Sequence, residues 1–321
     1  MKAIVYHEYG SPDNLELQEV EVPAVQDDEV LLKVHTASVN ALDWHFLTGS
    51  PFLARIMAGG LLRPKQHVLG VDLAGTVEAV GESVTRFQPG DKVFGSCGSG
   101  GAFAEYACAA QGDMQTKPGN VPFEEAAAAG AAAHTALQFL RDGGQIRAGH
   151  NLLINGASGG VGTFAVQIAK AFGATVTGVC STGNLDLVRS IGADHIIDYT
   201  QEDFTQGEQH YDLIFDVAAK LSFSTCKRAL ATQGIYVTTE FSPAMVFRGL
   251  WASITGDQKL VSQLAKPPNE RDSAFVKELL ESGQVKSVID RRYTLSEVPE
   301  ALRYLGEGHA RGKVVITIWW S

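Results

Sequence analysis

The stretch Leu152-Leu153-Ile154-Asn155 runs directly into Gly156-Ala157-Ser158-Gly159-Gly160-Val161-Gly162, and a helical pattern follows at once. A short apolar strand, a tight glycine turn and a helix in immediate succession form the context that a dinucleotide-binding loop requires. Gly159 and Gly160 leave the backbone open to a pyrophosphate, whose oxygens would be met by free N–H groups at the helix start. Gly162 lets the helix lie close to the strand. Residues 160–172 place Val161, Phe164, Ala165, Ile168, Ala169 and Phe172 on one face, and Gly173 suits the C-terminal cap. The alternative is a glycine-rich strand-to-helix turn with no ligand. The complete context favours nucleotide binding.

Strands and helices alternate from this point. Residues 174–180, 195–197, 213–217 and 235–239 read as strands and 185–191 as a helix, a pattern that predicts a doubly wound parallel sheet. The first ~120 residues differ. Short β segments at 2–6, 29–36, 75–81 and 89–95 are separated by turns, as in a compact barrel. The change comes at Pro118-Gly119-Asn120-Val121-Pro122, where Pro122 suits the first position of a helix and Glu124-Glu125 suit its positive end. After a helix at 273–282, residues 311–320 form a last strand with no domain of its own. That strand is expected to return to the N-terminal domain. The expected fold is α/β: a β-rich barrel-like domain of residues 1–122 and 269–321, with a Rossmann domain of residues 123–268 inserted.

Composition narrows the partners. With 26 Lys and Arg against 36 Asp and Glu, the net charge is −10, and no basic cluster suits a phosphate backbone. The alanine-rich run 126–140 is shorter than a bilayer span. The N-terminus lacks the apolar core of a signal peptide. Cys97, Cys108, Cys180 and Cys226 are scattered, with no CxxC pair, and read as free thiols in a reducing cytoplasm.

An NAD site usually has Asp or Glu at the end of the second strand, for the ribose hydroxyls. Here that place reads Val179-Cys180-Ser181-Thr182-Gly183-Asn184, with no acid. Ser181, Thr182 and Asn184 offer hydrogen bonds to a 2′-phosphate, which favours NADPH, although no Lys or Arg stands among them.

Several further segments carry a resemblance. They are Ala37-Ser38-Val39-Asn40-Ala41-Leu42-Asp43-Trp44, Leu69-Gly70-Val71-Asp72-Leu73-Ala74-Gly75, Pro89-Gly90-Asp91-Lys92-Val93-Phe94-Gly95, Gly192-Ala193-Asp194-His195-Ile196-Ile197-Asp198-Tyr199 and Arg311-Gly312-Lys313-Val314-Val315. With the glycine loop, they make the chain resemble the zinc-independent, quinone oxidoreductase-like medium-chain dehydrogenases/reductases. The resemblance implies a GroES-like catalytic domain and an inserted Rossmann domain. It implies that the cofactor is held by the loop residues Ala157, Ser158, Gly159, Gly160, Val161 and Gly162, with Tyr199 near the 2′-phosphate. Val217, Ala218 and Thr135 would line the nicotinamide, Thr238 would follow the fifth strand, and Lys313 would reach the cofactor. Asn40 would sit in the active-site cleft. Each has a packing alternative. Asn40 stands where zinc-dependent relatives place a cysteine, and Val71-Asp72 replaces their His-Glu pair. No set of ligands for zinc is present by count.

Without a metal, the substrate oxygen needs hydrogen-bond donors, for which Asn40 offers an amide. Such a site suits quinones or α,β-unsaturated carbonyls. His45 is the candidate proton donor, with a surface or packing histidine as the alternative and water sufficient in its place, and Asp43 would orient its segment or hydrogen-bond the cofactor. Trp44, Phe46 and Phe52 form either a substrate wall or core. The apolar loops 49–65 and 241–251 are read as substrate walls or partner surfaces. The end Trp319-Trp320 is expected to pack on the barrel or a partner subunit. By the same resemblance, residues 259–264 would pair in a homodimer. The competing readings are reduction of simple ketones or aldehydes, and a non-catalytic NADPH-binding protein.

Overall fold

The computed structural model describes residues 1–58, 60–98, 100–241, 245 and 257–319. The chain divides into two compact units: Met1–Ala132 with Pro267–Gly283 and Ser287–Ser321, and Ala133–Lys266 with Gln284–Lys286. The second is therefore an insertion in the first. The division falls inside the helix Phe123–Gln138, later than the sequence places it. Pro122 marks where that helix starts, but its first turns pack within the first unit. The backbone N–H of Ala131, for example, donates to the Asp72 carboxylate at 2.7 Å.

The first unit is built on a seven-stranded sheet around the long strand Glu29–Val39. Up to His35 this strand alternates: Val30, Leu32 and Val34 are buried, while Leu31, Lys33 and His35 are half-buried. That period of two is the mark of a sheet with one face on the core. From Thr36 to Val39 every residue is buried, and the pairing with Asp72–Val80 shifts register just before Thr36. The C-terminal strand Lys313–Thr317 pairs antiparallel with Glu29–Val39, Val314 opposite Val39 and Thr317 opposite Thr36. The last strand thus returns to the N-terminal fold, as the sequence pattern implies. Beyond it, the Ile318 and Trp319 amides donate to the His35 carbonyl, and the Lys33 ammonium lies 4.6 Å from the centre of the Trp319 ring. Trp320 lies outside the described residues.

The second unit is a six-stranded sheet in the order His195–Asp198, Thr175–Cys180, Asn151–Asn155, Tyr211–Asp216, Leu230–Thr238, Lys259–Ser262. Every pairing is parallel. Leu152, Leu153 and Ile154 are fully buried, as in a parallel strand covered on both faces. The helix Gly160–Ala171 buries Phe164, Ala165, Ile168 and Ala169, with Val161 and Phe172 half-buried at its ends. Gly173 follows with φ +79°, the left-handed cap conformation. The apolar connection 241–251 lies outside the described residues except at 241 and 245.

Candidate functional site

The glycine loop leaves the end of Asn151–Asn155 at Gly156, whose φ is +85°. The Gly156 and Ala157 amides both donate to the Val179 carbonyl at 3.1 Å, which fastens the loop to the neighbouring strand. Ala157 is fully buried, so its side chain belongs to the core. The first intrahelical bond here runs from the Thr163 amide to the Gly159 carbonyl, at 2.9 Å. The amides of Gly160, Val161 and Gly162 precede it, and such first-turn N–H groups have no intrahelical acceptor. A Cβ on Gly162 would lie 2.0 Å from the Gly156 carbonyl oxygen, so only glycine lets helix and loop approach this closely. Free amides at the carboxyl end of a parallel sheet, on a backbone kept low by glycine, fit a pyrophosphate.

A buried network holds the floor beside this loop. Asn155 Nδ2 donates to Asp216 Oδ1 at 2.7 Å, and the Tyr236 hydroxyl donates to Asp216 Oδ2 at 2.8 Å. The Val217 and Ala218 amides return to the Asn155 carbonyl at 3.0 and 3.3 Å. Two strand ends and the strand beside them are thereby tied together, and Val217 is left half-buried and Ala218 exposed. Sequence reasoning missed Asn155, Asp216 and Tyr236. Their only local signal is a polar residue closing each of two apolar strands. Thr135 is half-buried on a helix whose neighbouring residues 132, 133, 134 and 136 are buried. Thr238 is corrected: it is fully buried, and its hydroxyl accepts the Glu240 amide at 3.1 Å, so it braces a turn and presents no surface to a ligand.

At the end of Thr175–Cys180 the structure adds an acid that a strand-by-strand reading misses. Asp198 pairs with Cys180 in the neighbouring strand. Its Oδ2 accepts the Thr182 hydroxyl at 2.5 Å, and its Oδ1 accepts the Thr200 amide and hydroxyl at 3.0 and 2.7 Å. Asn184 Nδ2 donates to the Ser158 and Ser181 hydroxyls at 3.1 and 3.2 Å. Tyr199 is exposed.

The first unit holds a second constellation, buried and ionic. Lys313, Asn40, Asp43 and Asp72 are all buried. Lys313 Nζ donates to Asn40 Oδ1 at 2.5 Å and to the Val39 carbonyl at 3.1 Å. Asn40 Nδ2 donates to Asp72 Oδ2 at 3.0 Å and to the Ser38 carbonyl at 3.2 Å. The Asn40 amide donates to Asp43 Oδ2 at 2.7 Å, where the helix Ala41–Thr48 begins. Two expectations are corrected here. Both hydrogens of the Asn40 carboxamide are engaged, so it cannot serve as a donor to a substrate oxygen without breaking this network. The Lys313 ammonium points inward to Asn40 and is held there.

Two carboxylates and one ammonium share this buried volume, and the groups respond as burial demands. Desolvation pushes the Asp43 carboxyl up to about 7, with the nearby Asp72 charge adding to the rise, against the Asn40 amide and Lys313. Desolvation likewise lowers Lys313 from its ordinary value, opposed by Asp72 and Asp43. Burial pushes the Cys97 thiol far up, which disfavours the thiolate.

His45 is half-buried, with Nδ1 2.6 Å from the Ser50 carbonyl, so Nδ1 carries a proton and anchors the following loop. Phe46 is core, and the Trp44 ring packs beside Gly306. Phe52 is 61% exposed, at the head of the short helix Phe52–Met57. Leu53, Ile56, Met57, Leu61 and Leu62 are exposed around it. Among the described residues no helix is long and apolar enough to cross a membrane, and no group of three or more His, Cys, Asp or Glu is arranged to hold a metal ion.

Comparison with known proteins agrees with this architecture. Residues 26–119 match the family model of the alcohol dehydrogenase GroES-like domain, and residues 191–316 match the model described as zinc-binding dehydrogenase. The chain is 34% identical to a chloroplastic quinone-oxidoreductase homolog of Spinacia oleracea, over 98% of each. It is also 34% identical to a 2-methylene-furan-3-one reductase of Solanum lycopersicum, over 98% of this chain and 79% of that protein. The structure of the quinone oxidoreductase from Coxiella burnetii superposes with a TM-score of 0.88 at 29% identity, over 99% of each chain. The chain therefore belongs to the quinone oxidoreductase-like medium-chain dehydrogenases/reductases, oxidoreductases that work with a nicotinamide cofactor.

Proposed function

We propose that this protein reduces quinones or α,β-unsaturated carbonyls at the expense of a reduced nicotinamide dinucleotide. The observation that carries the reading is the loop at Gly156–Gly162, whose first-turn amides and glycine backbone fit a pyrophosphate. The likeness to a quinone-oxidoreductase homolog supports the first substrate class, and the likeness to a furanone reductase supports the second. When bound, the cofactor supplies a hydride equivalent, and the protein's part is orientation and electrostatics.

In this reading the amides of Gly160, Val161 and Gly162 hold the pyrophosphate. Val217 and Ala218, fastened by Asn155, line the ring end, and Thr135 faces it. Asn40, locked between Lys313 and Asp72, acts as a positioning residue that fixes the start of the helix carrying Asp43 and His45. His45 Nε2 and water are the candidate proton donors. The reading includes a homodimer joined along the edge strand Lys259–Ser262.

The test is oxidation of the reduced nicotinamide, followed by absorbance, with a quinone, an enone and a saturated ketone as acceptors, with and without a chelator. Turnover with the quinone or enone that survives the chelator is the expected result. Turnover with the ketone alone would replace this reading with alcohol dehydrogenase-type reduction. Tight dinucleotide binding with no turnover on any acceptor would leave a binding protein.

A further inference from the structure

NADPH was expected because no acid stands at the end of the second strand, while Ser181, Thr182 and Asn184 offer donors. The tertiary structure removes both premises. Asp198, at the end of the neighbouring strand, accepts the single hydroxyl hydrogen of Thr182. Both hydrogens of the Asn184 carboxamide go to Ser158 and Ser181. Of the three donors expected for a 2′-phosphate, only the Ser181 hydroxyl keeps a hydrogen to give.

The charge around this corner has the same sign as a phosphate. Residues 181–203 contain Asp186, Asp198, Glu202 and Asp203 against a single arginine, Arg189, while Asp194 lies at the other end of its strand and is paired with Lys170 at 2.7 Å. Arg189 is paired with Asp186 at 2.8 Å on the surface. The hydrogen bonds from Thr182 and Thr200 hold the Asp198 carboxyl below its ordinary range, so it is ionised at neutral pH. A ribose 2′-hydroxyl is a donor in search of an acceptor, and Asp198 is one. A 2′-phosphate is a dianion in search of donors and cations, and this corner has few of either.

We propose that Asp198 sets the cofactor choice of this chain: its carboxylate receives the adenosine ribose and repels a 2′-phosphate, so that NADH is bound at least as well as NADPH. This rests on the nicotinamide reading above. It assigns to the third strand of the sheet order 3-2-1 a task usually met by an acid on the second.

The test is an equilibrium titration of nicotinamide fluorescence with NADH and with NADPH, at low and high salt. For the unaltered protein, a Kd for NADH no larger than that for NADPH is expected, with any deficit of NADPH shrinking as salt screens the carboxylate. Asp198→Asn should tighten NADPH roughly tenfold, the scale of one charge a few ångströms away in a partly solvated site, and weaken NADH. Because Asp198 also holds Thr182 and Thr200, the substitution can disturb the corner itself. The exposed Gly183→Arg leaves that network intact, supplies the missing cation and should tighten NADPH alone. An unaltered protein that binds NADPH ten times more tightly than NADH overturns the proposal. So does an unchanged NADPH/NADH ratio in both variants. Failure to bind either dinucleotide overturns it together with the nicotinamide reading. Binding in the expected ratio with no electrophile reduced sustains it and overturns only the substrate reading.

Discussion

The dinucleotide loop and the Lys313–Asn40–Asp72 cluster are both small polar devices, but they are built on opposite principles. The loop is contiguous and works with unpaired backbone amides on a glycine scaffold. The cluster joins residues up to 273 positions apart, and its value lies in engaging the donors of Lys313 and Asn40 within it. In the proposed reading the open device binds because its donors are free. A closed one positions because its donors are engaged, and a buried charge left without its partner is costly. The two regions should therefore fail differently, the loop through affinity and the cluster through stability.

The largest expected effect is in the cluster. Lys313→Met removes a buried ammonium that lies close to the Asp72 and Asp43 carboxyls and holds Asn40 Oδ1, and should lower unfolding stability by about 3–5 kcal/mol, read from denaturant midpoints. Adding Asp72→Asn should restore part of the loss. If Lys313→Met instead weakened dinucleotide binding at unchanged stability, Lys313 would serve the cofactor and the contrast would collapse.

Gly162→Ala tests the other side. The added Cβ meets the Gly156 carbonyl oxygen, an overpacking that costs about 1–3 kcal/mol and must displace the loop. Dinucleotide affinity should fall by roughly 10- to 100-fold, with a smaller change in unfolding stability. Equal losses in both would show that the loop is structural before it is a binding site.

A pH series separates charge from geometry within the cluster. The folded Asp43 carboxyl titrates near 7, while an unfolded Asp titrates near about 4. Between these values the folded state binds a proton that the unfolded state does not. Its contribution to stability is thus full below about pH 4 and is lost as pH rises through 7. Asp43→Asn keeps an oxygen for the Asn40 amide and should flatten that slope, as the difference between the two proteins' denaturation midpoints across pH. An identical slope in both would show that Asp43 is ionised throughout.

The smallest effect is expected at His45. His45→Gln should change turnover by less than about tenfold, because water can supply the proton, whereas loss of a true general acid costs about 100-fold or more. A fall of that larger size, with a lost limb in the pH–rate profile, would make His45 catalytic.

Much of the architecture was legible because its causes are local. The β-branched, apolar segment at residues 29–36, the amphipathic helix after Gly159 and the glycines at 159, 160, 162 and 173 each state a backbone requirement in a few adjacent residues. The C-terminal strand was legible from the residues left over, since a single apolar strand must pair somewhere. Donor capacity was not legible. The sequence presents Asn40, Thr182, Asn184 and Thr238 as groups free to meet a ligand, and each is engaged by a partner in another segment or turn. Asp198 belongs to a segment that carries the family resemblance, yet its meaning comes from lying beside Cys180 in the sheet.

The sequence by itself determined an α/β chain with an inserted Rossmann-like unit, the position of the glycine loop between its first strand and helix, and the return of the last strand. Periodicity and glycine chemistry act over a few residues and need no knowledge of what lies opposite. Only the tertiary structure decided which polar groups remain available. A hydroxyl has one hydrogen and a carboxamide two, and where they go depends on segments that meet only when the chain is folded.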